Sequence, residues 1–183
     1  DRRANFGARE IEGRAIAHGA GVAHGGLLIR RTRRIAAEPG IEHVVGVDVI
    51  PPPHDIGGVE FVRADIRNPM IGRVIESAGV DTVVHMNVIA TPTFVGGRTP
   101  QKEINVIGTM QLLAACQKAS TVQRLVVKSS AAVYGSTPRD PALFTEDMGA
   151  RRSPSGGFGK DSIEVEGYVR GFDARTGRRL WIF

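Results

Sequence analysis

Cysteine and aromatic residues are scarce in this sequence. Its 183 residues include one cysteine, one tryptophan and two tyrosines, and aromatic residues make up 5% of the chain. A single cysteine excludes both an intramolecular disulfide framework and a multi-cysteine metal site. Cys116 lies in an apolar stretch with helical spacing. We therefore interpret it as a small buried hydrophobic residue rather than a nucleophile.

Long apolar runs are also missing. No segment approaches the ~20 apolar residues that a membrane-spanning helix requires, and the polar, charged residues 1–14 do not resemble a signal peptide. With 42% of its residues hydrophobic, the chain can bury one core of ordinary domain size. We expect one domain, located in the cytoplasm, with no membrane partner.

Positive charge is concentrated near the two ends of the chain, and the net charge is +5. No aromatic residues are interleaved with the first basic cluster, and neither zinc-finger spacing nor an RNA-binding signature accompanies it. We predict no nucleic-acid partner. The basic residues of that first cluster are Arg2, Arg3, Arg9, Arg14, Arg30, Arg31, Arg33 and Arg34.

Segments with strand character alternate with segments of helical spacing along the chain. The alternation predicts an α/β fold of Rossmann type, with a parallel sheet and helices on both faces. Such sheets bind ligands at the carboxyl ends of their strands. The predicted strands are 43–48, 59–65, 81–86 and 123–129, and the predicted helices are 68–79, 101–118 and 160–172.

An acidic residue, Asp48, ends the first of these strands, which would be the second strand of a Rossmann sheet. A carboxylate at this place accepts hydrogen bonds from both hydroxyls of an adenosine ribose and repels a 2′-phosphate. The next residues, Val49 and Ile50, include no arginine to pair with a phosphate. This arrangement favours NAD over NADP, although Asp48 alone is equally consistent with a simple strand end.

Four segments together resemble the extended short-chain dehydrogenase/reductases, the NAD-dependent epimerase/dehydratase family that includes the UDP-glucose 4-epimerases. Their order and spacing are kept from residue 65 to residue 135, which makes the resemblance specific. The segments are Asp65-Ile66, the turn from His85 to Ala90, Asn105 within the stretch from Glu103 to Thr109, and the stretch from Ser129 to Gly135.

The resemblance implies a cofactor, a substrate class and a partner. NAD would contact Asp65 and Ile66, the turn at Met86, Asn87 and Val88, and Asn105. Ser130 would bind the reacting hydroxyl or carbonyl of a nucleotide sugar such as UDP-glucose or UDP-galactose. Homodimers of the family form through a four-helix contact, which here would use residues 101–118 and 160–172.

The family's catalytic Tyr-x-x-x-Lys pair is missing. Aligning residues 153–162 on that motif places Phe158 in the tyrosine position and Ser162 in the lysine position. Three other residues are poor substitutes for the missing pair. Tyr134 belongs to a turn, Tyr168 lies farther along the helix, and Lys160 lies on a different face of the helix. Phenylalanine cannot transfer a proton, and losing general acid-base catalysis typically costs ~10²–10⁴ in rate.

Three hypotheses about function remain open at this point. The first is an NAD-dependent epimerase/dehydratase acting on a nucleotide sugar. The second is a catalytically silent dinucleotide-binding or regulatory protein, and the third is a gene fragment without function. The resemblance further implies that the chain stops before the family's C-terminal substrate lobe.

The first 39 residues match the family pattern poorly, whereas residues 40–183 form the predicted NAD-binding core. Gly19 and Gly25 have the separation of the outer glycines of a phosphate-binding turn, but Val22 fills the middle position and no good strand precedes them. Residues 27–34 are too basic for a helix packed on a sheet. A frameshift in this region would explain the mismatch, and the alternative is a divergent but real N-terminus.

Overall fold

The computed structural model describes residues 13–18, 32–86, 89, 95–135, 137–141, 143–145, 148–149 and 157–173. Five strands are described: β1 (Gly13–His18), β2 (Ile41–Asp48), β3 (Val59–Arg63), β4 (Thr82–His85) and β5 (Arg124–Val127). Helix α1 is Met70–Ala78. A second, continuous helix consists of α2 (Arg98–Lys102), a π-helical segment (Glu103–Gly108) and α3 (Thr109–Lys118). A 3₁₀ turn, Ala131–Tyr134, follows β5, and α4 is Gly157–Asp173.

All five strands are parallel and form one sheet in the order β3-β2-β1-β4-β5. The chain therefore builds the sheet outward from β1 in one direction and then resumes on the other side with β4. A crevice opens at such a reversal, at the carboxyl ends of the strands, and dinucleotides bind there in Rossmann folds. The predicted fold class, an α/β parallel sheet of Rossmann type, is confirmed.

The central position of β1 corrects one expectation from the sequence. We expected no good strand before Gly19, but Gly13–His18 pairs with β2 on one side and with β4 on the other. Apart from Ile16, its residues are small or polar. Pairing on both edges and the burial of Ala15 and Ile16 support the strand without an apolar run. This strand of the 1–39 segment thus belongs to the same sheet as the rest.

The connections place helical elements on both faces of the sheet. Residues 32–36 are helical and lie in the connection from β1 to β2, whereas α1 lies in the connection from β3 to β4. These two connections run in opposite directions along the sheet. Because crossovers between parallel strands are almost always right-handed, they lie on opposite faces.

Helix α1 packs against the sheet through Ile71 and Ile75, which are fully buried. Two residues before the helix, the side-chain oxygen of Asn68 accepts a hydrogen bond from the Met70 amide at 3.0 Å, which satisfies one free amide of the first turn. Gly79 ends it in a left-handed conformation, with φ of 58°, and its amide donates to the Glu76 carbonyl. The predicted end of this helix at Gly79 is therefore correct.

The helices on the α1 face extend beyond their predicted bounds. The helix predicted for 101–118 starts three residues earlier, at Arg98, and the one predicted for 160–172 starts at Gly157. Contacts between the two helices at these ends, described below, stabilise the added turns. Within the described part of the chain, no helix is both long and apolar enough to cross a bilayer.

Candidate functional site

Asp48 lies at the carboxyl end of β2, beside the central strand. Its side chain is 2% exposed, and Oδ1 accepts a hydrogen bond from the Ile50 amide at 3.2 Å. Its carbonyl accepts from the Ala64 amide at 3.1 Å, so the ends of β2 and β3 are tied together. The carboxylate is thereby held where a ribose would meet it in a Rossmann fold.

Asp65 follows β3 and is bound by a neighbouring arginine. Its carboxylate accepts from the Arg67 amide at 2.9 Å and from the Arg67 guanidinium at 2.6–3.1 Å. Glu103, at the start of the π segment, lies 3.6 Å from the same guanidinium. The hydrogen bond with Asp65 raises the pKa of Arg67 above its usual value, so the guanidinium stays charged. Ile66 is 2% exposed and belongs to the core.

The π segment brings the helix unusually close to Ile66. A Cβ atom added to Gly108 would lie 2.6 Å from Ile66 Cγ2, so only glycine allows this approach. Short π segments inside α-helices are frequent at functional sites. Here the segment contains Asn105, and Thr109 directly follows it; both side chains are buried near the end of β4.

A buried chain of hydrogen bonds joins β4 to the π segment. His85 is the last residue of β4, and its Nε2 atom lies 2.8 Å from Thr109 Oγ1. The Thr109 hydroxyl in turn donates to the Asn105 carbonyl at 2.6 Å. Because the threonine proton is used there, His85 Nε2 donates. Burial lowers the pKa of His85 to about 4, so the imidazole is neutral at neutral pH.

Asn105 holds the turn that follows β4. Its Oδ1 accepts from the Ile89 amide at 2.8 Å, and its Nδ2 donates to the Ile89 carbonyl at 3.0 Å. Gln101, one turn earlier, also donates to the Ile89 carbonyl, at 2.8 Å. Both side chains are 1% exposed. The amide and carbonyl of Ile89 are therefore both held by side chains of the helix.

Two serines and a glutamate lie at the end of β5. Ser130 begins the 3₁₀ turn, where its Oγ accepts from the Ala132 amide at 3.2 Å. Ser129 donates to Glu166 of α4 at 2.6 Å, and Glu166 is 8% exposed. This charge-assisted hydrogen bond ties the start of the Ser130 turn to the middle of α4.

The first turns of α4 contain Phe158 and Ser162. Ser162 is 2% exposed, and its Oγ donates to the Phe158 carbonyl at 3.0 Å. The hydroxyl is thus used within the helix itself. Neither side chain offers a cation or a phenol, and Tyr168, farther along, donates to Glu164 at 3.2 Å.

Comparison with known proteins decides the family. The model of the NAD dependent epimerase/dehydratase family matches residues 23–182. The chain belongs to that family. An uncharacterized protein of Mycobacterium tuberculosis, strain H37Rv, is 52% identical over 148 residues, which are 79% of this chain and 39% of that protein. A UDP-glucose 4-epimerase of Klebsiella pneumoniae is 30% identical over 97 residues, which are 51% of this chain and 69% of that protein.

Solved structures of this epimerase/dehydratase type share the fold. A UDP-glucose-4-epimerase from Stenotrophomonas maltophila, with bound NAD and formylated UDP-arabinopyranose, is 26% identical, with a TM-score of 0.67 over 90% of this chain and 50% of its own. L-threonine dehydrogenase from Phytophthora infestans is 23% identical, with a TM-score of 0.69, and the match covers 89% of this chain and 50% of the dehydrogenase chain. The chain therefore spans about half the length of these structures and less of its mycobacterial relative.

The described part of the family site brings together most of the residues predicted from sequence. Asp48, Asp65, Met86 and Ser130 all lie at or just beyond the carboxyl ends of strands, and Met86 directly follows β4. Ile66 and Asn105 are buried behind them. Four predicted residues lie outside the described residues, so their placement stays a prediction. These are Gly19, Gly25, Asn87 and Val88.

Sequence reasoning missed four residues that hydrogen-bond to one another or to residues near the ends of β4 and β5, namely Arg98, Gln101, Asp161 and Glu166. Asp161 is fully buried although it is charged, and it lies between Lys160 and Ser162, one position before the expected lysine. A charged residue at a core position of a predicted helix was the available signal, because such residues are rarely buried without a partner.

Proposed function

We propose that the chain carries the NAD-binding part of an epimerase/dehydratase-family protein that, in its intact form, acts on a nucleotide sugar such as UDP-glucose or UDP-galactose. The observation that carries this proposal is the buried carboxylate of Asp48 at the end of β2, beside the reversal point of the sheet. The NAD bound in the related epimerase from S. maltophila supports the choice of cofactor.

Asp48 carries the preference for NAD within this proposal. A carboxylate can accept hydrogen bonds from both ribose hydroxyls, and its charge repels a 2′-phosphate. Asp65, Ile66 and the turn at 86–88 would line the adenine and the rest of the dinucleotide. Gly19 and Gly25 would lie in the turn that holds the pyrophosphate.

Titration of the chain with NAD and NADP tests the proposal. We expect saturable binding of NAD and weaker binding of NADP. Asp48→Asn should weaken NAD binding about tenfold or more, since hydrogen bonds to charged groups contribute ~1.5–3 kcal/mol, and should narrow the difference between NAD and NADP. Asp81→Asn is the matched control, because Asp81 lies directly before β4, at the amino ends of the strands, whereas Asp48 lies at a carboxyl end.

The outcome for the wild-type chain is decisive. No saturable NAD binding would contradict the proposal and favour the interpretation as a gene fragment without function. Equal loss of affinity in the Asp48 and Asp81 variants would contradict the assignment of Asp48 to the ribose.

The substrate and the dimer belong to the same proposal. Ser130, at the end of β5, would meet the reacting hydroxyl or carbonyl of the sugar. A homodimer would form through the helices at 101–118 and 160–172, by analogy with the family. Sedimentation of the purified chain at several concentrations tests the homodimer. A monomer at every concentration would contradict this part of the proposal.

A second candidate function is a catalytically silent dinucleotide-binding protein. Phe158 and Ser162 favour it, because Ser162 donates its only hydroxyl proton to the Phe158 carbonyl and is buried. Isotope exchange between UDP-galactose and bound NAD distinguishes the two candidates. Isotope exchange at ordinary epimerase rates would refute the hypothesis of a catalytically silent protein. If the intact protein is silent, the double substitution of Phe158→Tyr with Ser162→Lys should raise exchange by ~10²-fold or more.

A further inference from the structure

An arginine lies beside Asp48 at the carboxyl end of the sheet. Asp48 is the last residue of β2, and it is paired in register with Arg63, the last residue of β3. Paired residues of neighbouring parallel strands direct their side chains to the same face of the sheet, and such strands lie about 4.8 Å apart. The side chains of Asp48 and Arg63 therefore leave the sheet next to each other.

The residues that precede this pair identify the face on which it lies. Val47 belongs to the core cluster that contains the buried residues of α1, and Val62 packs against the same cluster. Successive side chains of a strand alternate between the two faces. Asp48 and Arg63 therefore lie on the face of the sheet opposite α1.

The guanidinium of Arg63 is held close to the residue that follows Asp48. Its Nε donates to the Val49 carbonyl at 3.0 Å, and the residue is exposed. Among the residues that the structure describes, neither terminal nitrogen of Arg63 has a hydrogen-bond or ion-pair partner. The tether thus fixes one nitrogen of the fork, and the N–H groups of the other two remain open to a ligand.

This neighbour supplies the arginine that is missing from the residues directly after Asp48. In Rossmann folds that bind NADP, an arginine near the end of the second strand accommodates the 2′-phosphate of the adenosine ribose. Val49 and Ile50 offer none. Arg63 is distant from Asp48 in the chain, but the pairing of β2 with β3 brings it to that place.

Two other arginines near this part of the sheet are engaged with protein groups. Arg67 binds the Asp65 carboxylate through Nε and Nη2. Arg33 donates through Nη2 to the carbonyl of Asp55, in the loop between β2 and β3. Of the three arginines, Arg63 is the one whose backbone position adjoins Asp48 and whose terminal nitrogens are not used within the described structure.

Asp48 and Arg63 would act on a 2′-phosphate in opposite directions. The carboxylate of Asp48 repels the phosphate, whereas a guanidinium attracts it and can bind two of its oxygens at once. Because Arg63 is exposed, solvent and salt screen this attraction. The effect of Arg63 on affinity should therefore be several-fold rather than many orders of magnitude.

We propose that Arg63 binds a phosphate on the 2′-hydroxyl of the adenosine ribose, so that the site accepts NADP as a second, weaker cofactor. This inference rests on the proposed function, because it requires that the ribose binds at Asp48. Asp48 sets the preference for NAD, and Arg63 limits that preference.

Titration of wild type and Arg63→Gln with NAD and NADP tests the inference. The two ligands differ only in the 2′-phosphate, so the ratio of their affinities isolates the contact of that group. We expect Arg63→Gln to bind NADP about fivefold more weakly, which corresponds to about 1 kcal/mol, and to bind NAD within about twofold of wild type. The advantage of wild type for NADP should shrink as the salt concentration rises, because salt screens exposed charge pairs.

A matched control removes the same charge elsewhere. Arg73 is an exposed residue of α1, on the other face of the sheet. Arg73→Gln should leave the affinities for NAD and NADP unchanged, so an effect of net charge alone would be recognised. Thermal unfolding of each variant separates loss of fold from loss of the phosphate contact.

Each outcome decides one of the two proposals. The inference is wrong if wild type binds NAD but not NADP, or if Arg63→Gln binds NADP as tightly as wild type does. A parallel loss of NAD and NADP binding in Arg63→Gln also contradicts it, because the tether to Val49 would then explain the effect. If wild type binds neither dinucleotide, the proposed function fails instead.

Discussion

Substitution of Gly108 by alanine should destabilise the protein, although alanine is the better helix former. The added Cβ atom would lie 2.6 Å from Ile66 Cγ2, about 1 Å closer than the optimal separation of two carbon atoms. Ile66 is branched at Cβ and fully packed, so its methyl group cannot swing aside. Overpacking of this kind costs ~1–3 kcal/mol, and the gain in helix propensity offsets ~1 kcal/mol of it.

The expected net loss in the free energy of unfolding is therefore about 0–2 kcal/mol. For a chain of this size that corresponds to a fall in Tm of up to roughly 8 °C. Urea denaturation measures the free energy, and a thermal melt measures Tm. Both should be run on wild type and variant under the same conditions.

Gly72, in the middle of α1, provides the matched control. A Cβ atom added there would lie 3.7 Å from the Cβ of Ala115, which is an ordinary contact. Gly72→Ala should therefore stabilise the protein by about 0.5–1 kcal/mol. The same chemical change is thus expected to have opposite signs in two helices. If Gly108→Ala is as stable as Gly72→Ala, the close approach of the π segment to Ile66 does not constrain the fold.

Two further predictions concern buried titratable groups. His85 has its pKa lowered to about 4 by burial, so the unfolded chain binds a proton near pH 6.5 that the native state does not. When the pH is lowered from 7 to 5, this residue should therefore reduce the free energy of unfolding by about 2 kcal/mol. Urea denaturation of wild type and His85→Gln checks it, and identical pH dependence would contradict it. Burial raises the pKa of the Cys116 thiol to about 12, so a thiol reagent at pH 8 should label it only after denaturation, and stoichiometric labelling of the native protein would refute this.

The alternating pattern of the chain predicted the fold because each element carries its own local signal. Apolar runs such as the end of β2 indicate strands buried on both faces, and Gly79 marks a helix end through its left-handed conformation. The crossover rule then gives the handedness of the connections, whereas the strand order comes from the observed pairing. Asp48, Asp65 and Ser130 were found for the same reason, since each directly follows or closely follows a strand end.

The elements that sequence reasoning missed depend on partners distant in the chain. The central strand β1 has only one large apolar residue, Ile16, and its stability comes from pairing on both edges. Asp161 looks like a surface charge on its own helix, and only the arginine 63 positions earlier explains its burial. Asn105 was predicted to bind the cofactor from the family pattern, and the structure shows its amide bound to Ile89.

Local patterns thus determined which segments become strands and helices, and where ligand-facing residues follow them. The tertiary structure decided how those residues are held. Hydrogen-bond geometry between Arg98, Asp161 and the π segment depends on the distance and angle between two helices, and no periodicity in the sequence encodes either. For that reason the membership in the epimerase/dehydratase family was evident from the sequence, whereas the hydrogen bonds that hold Ile89 and Asp161 were not.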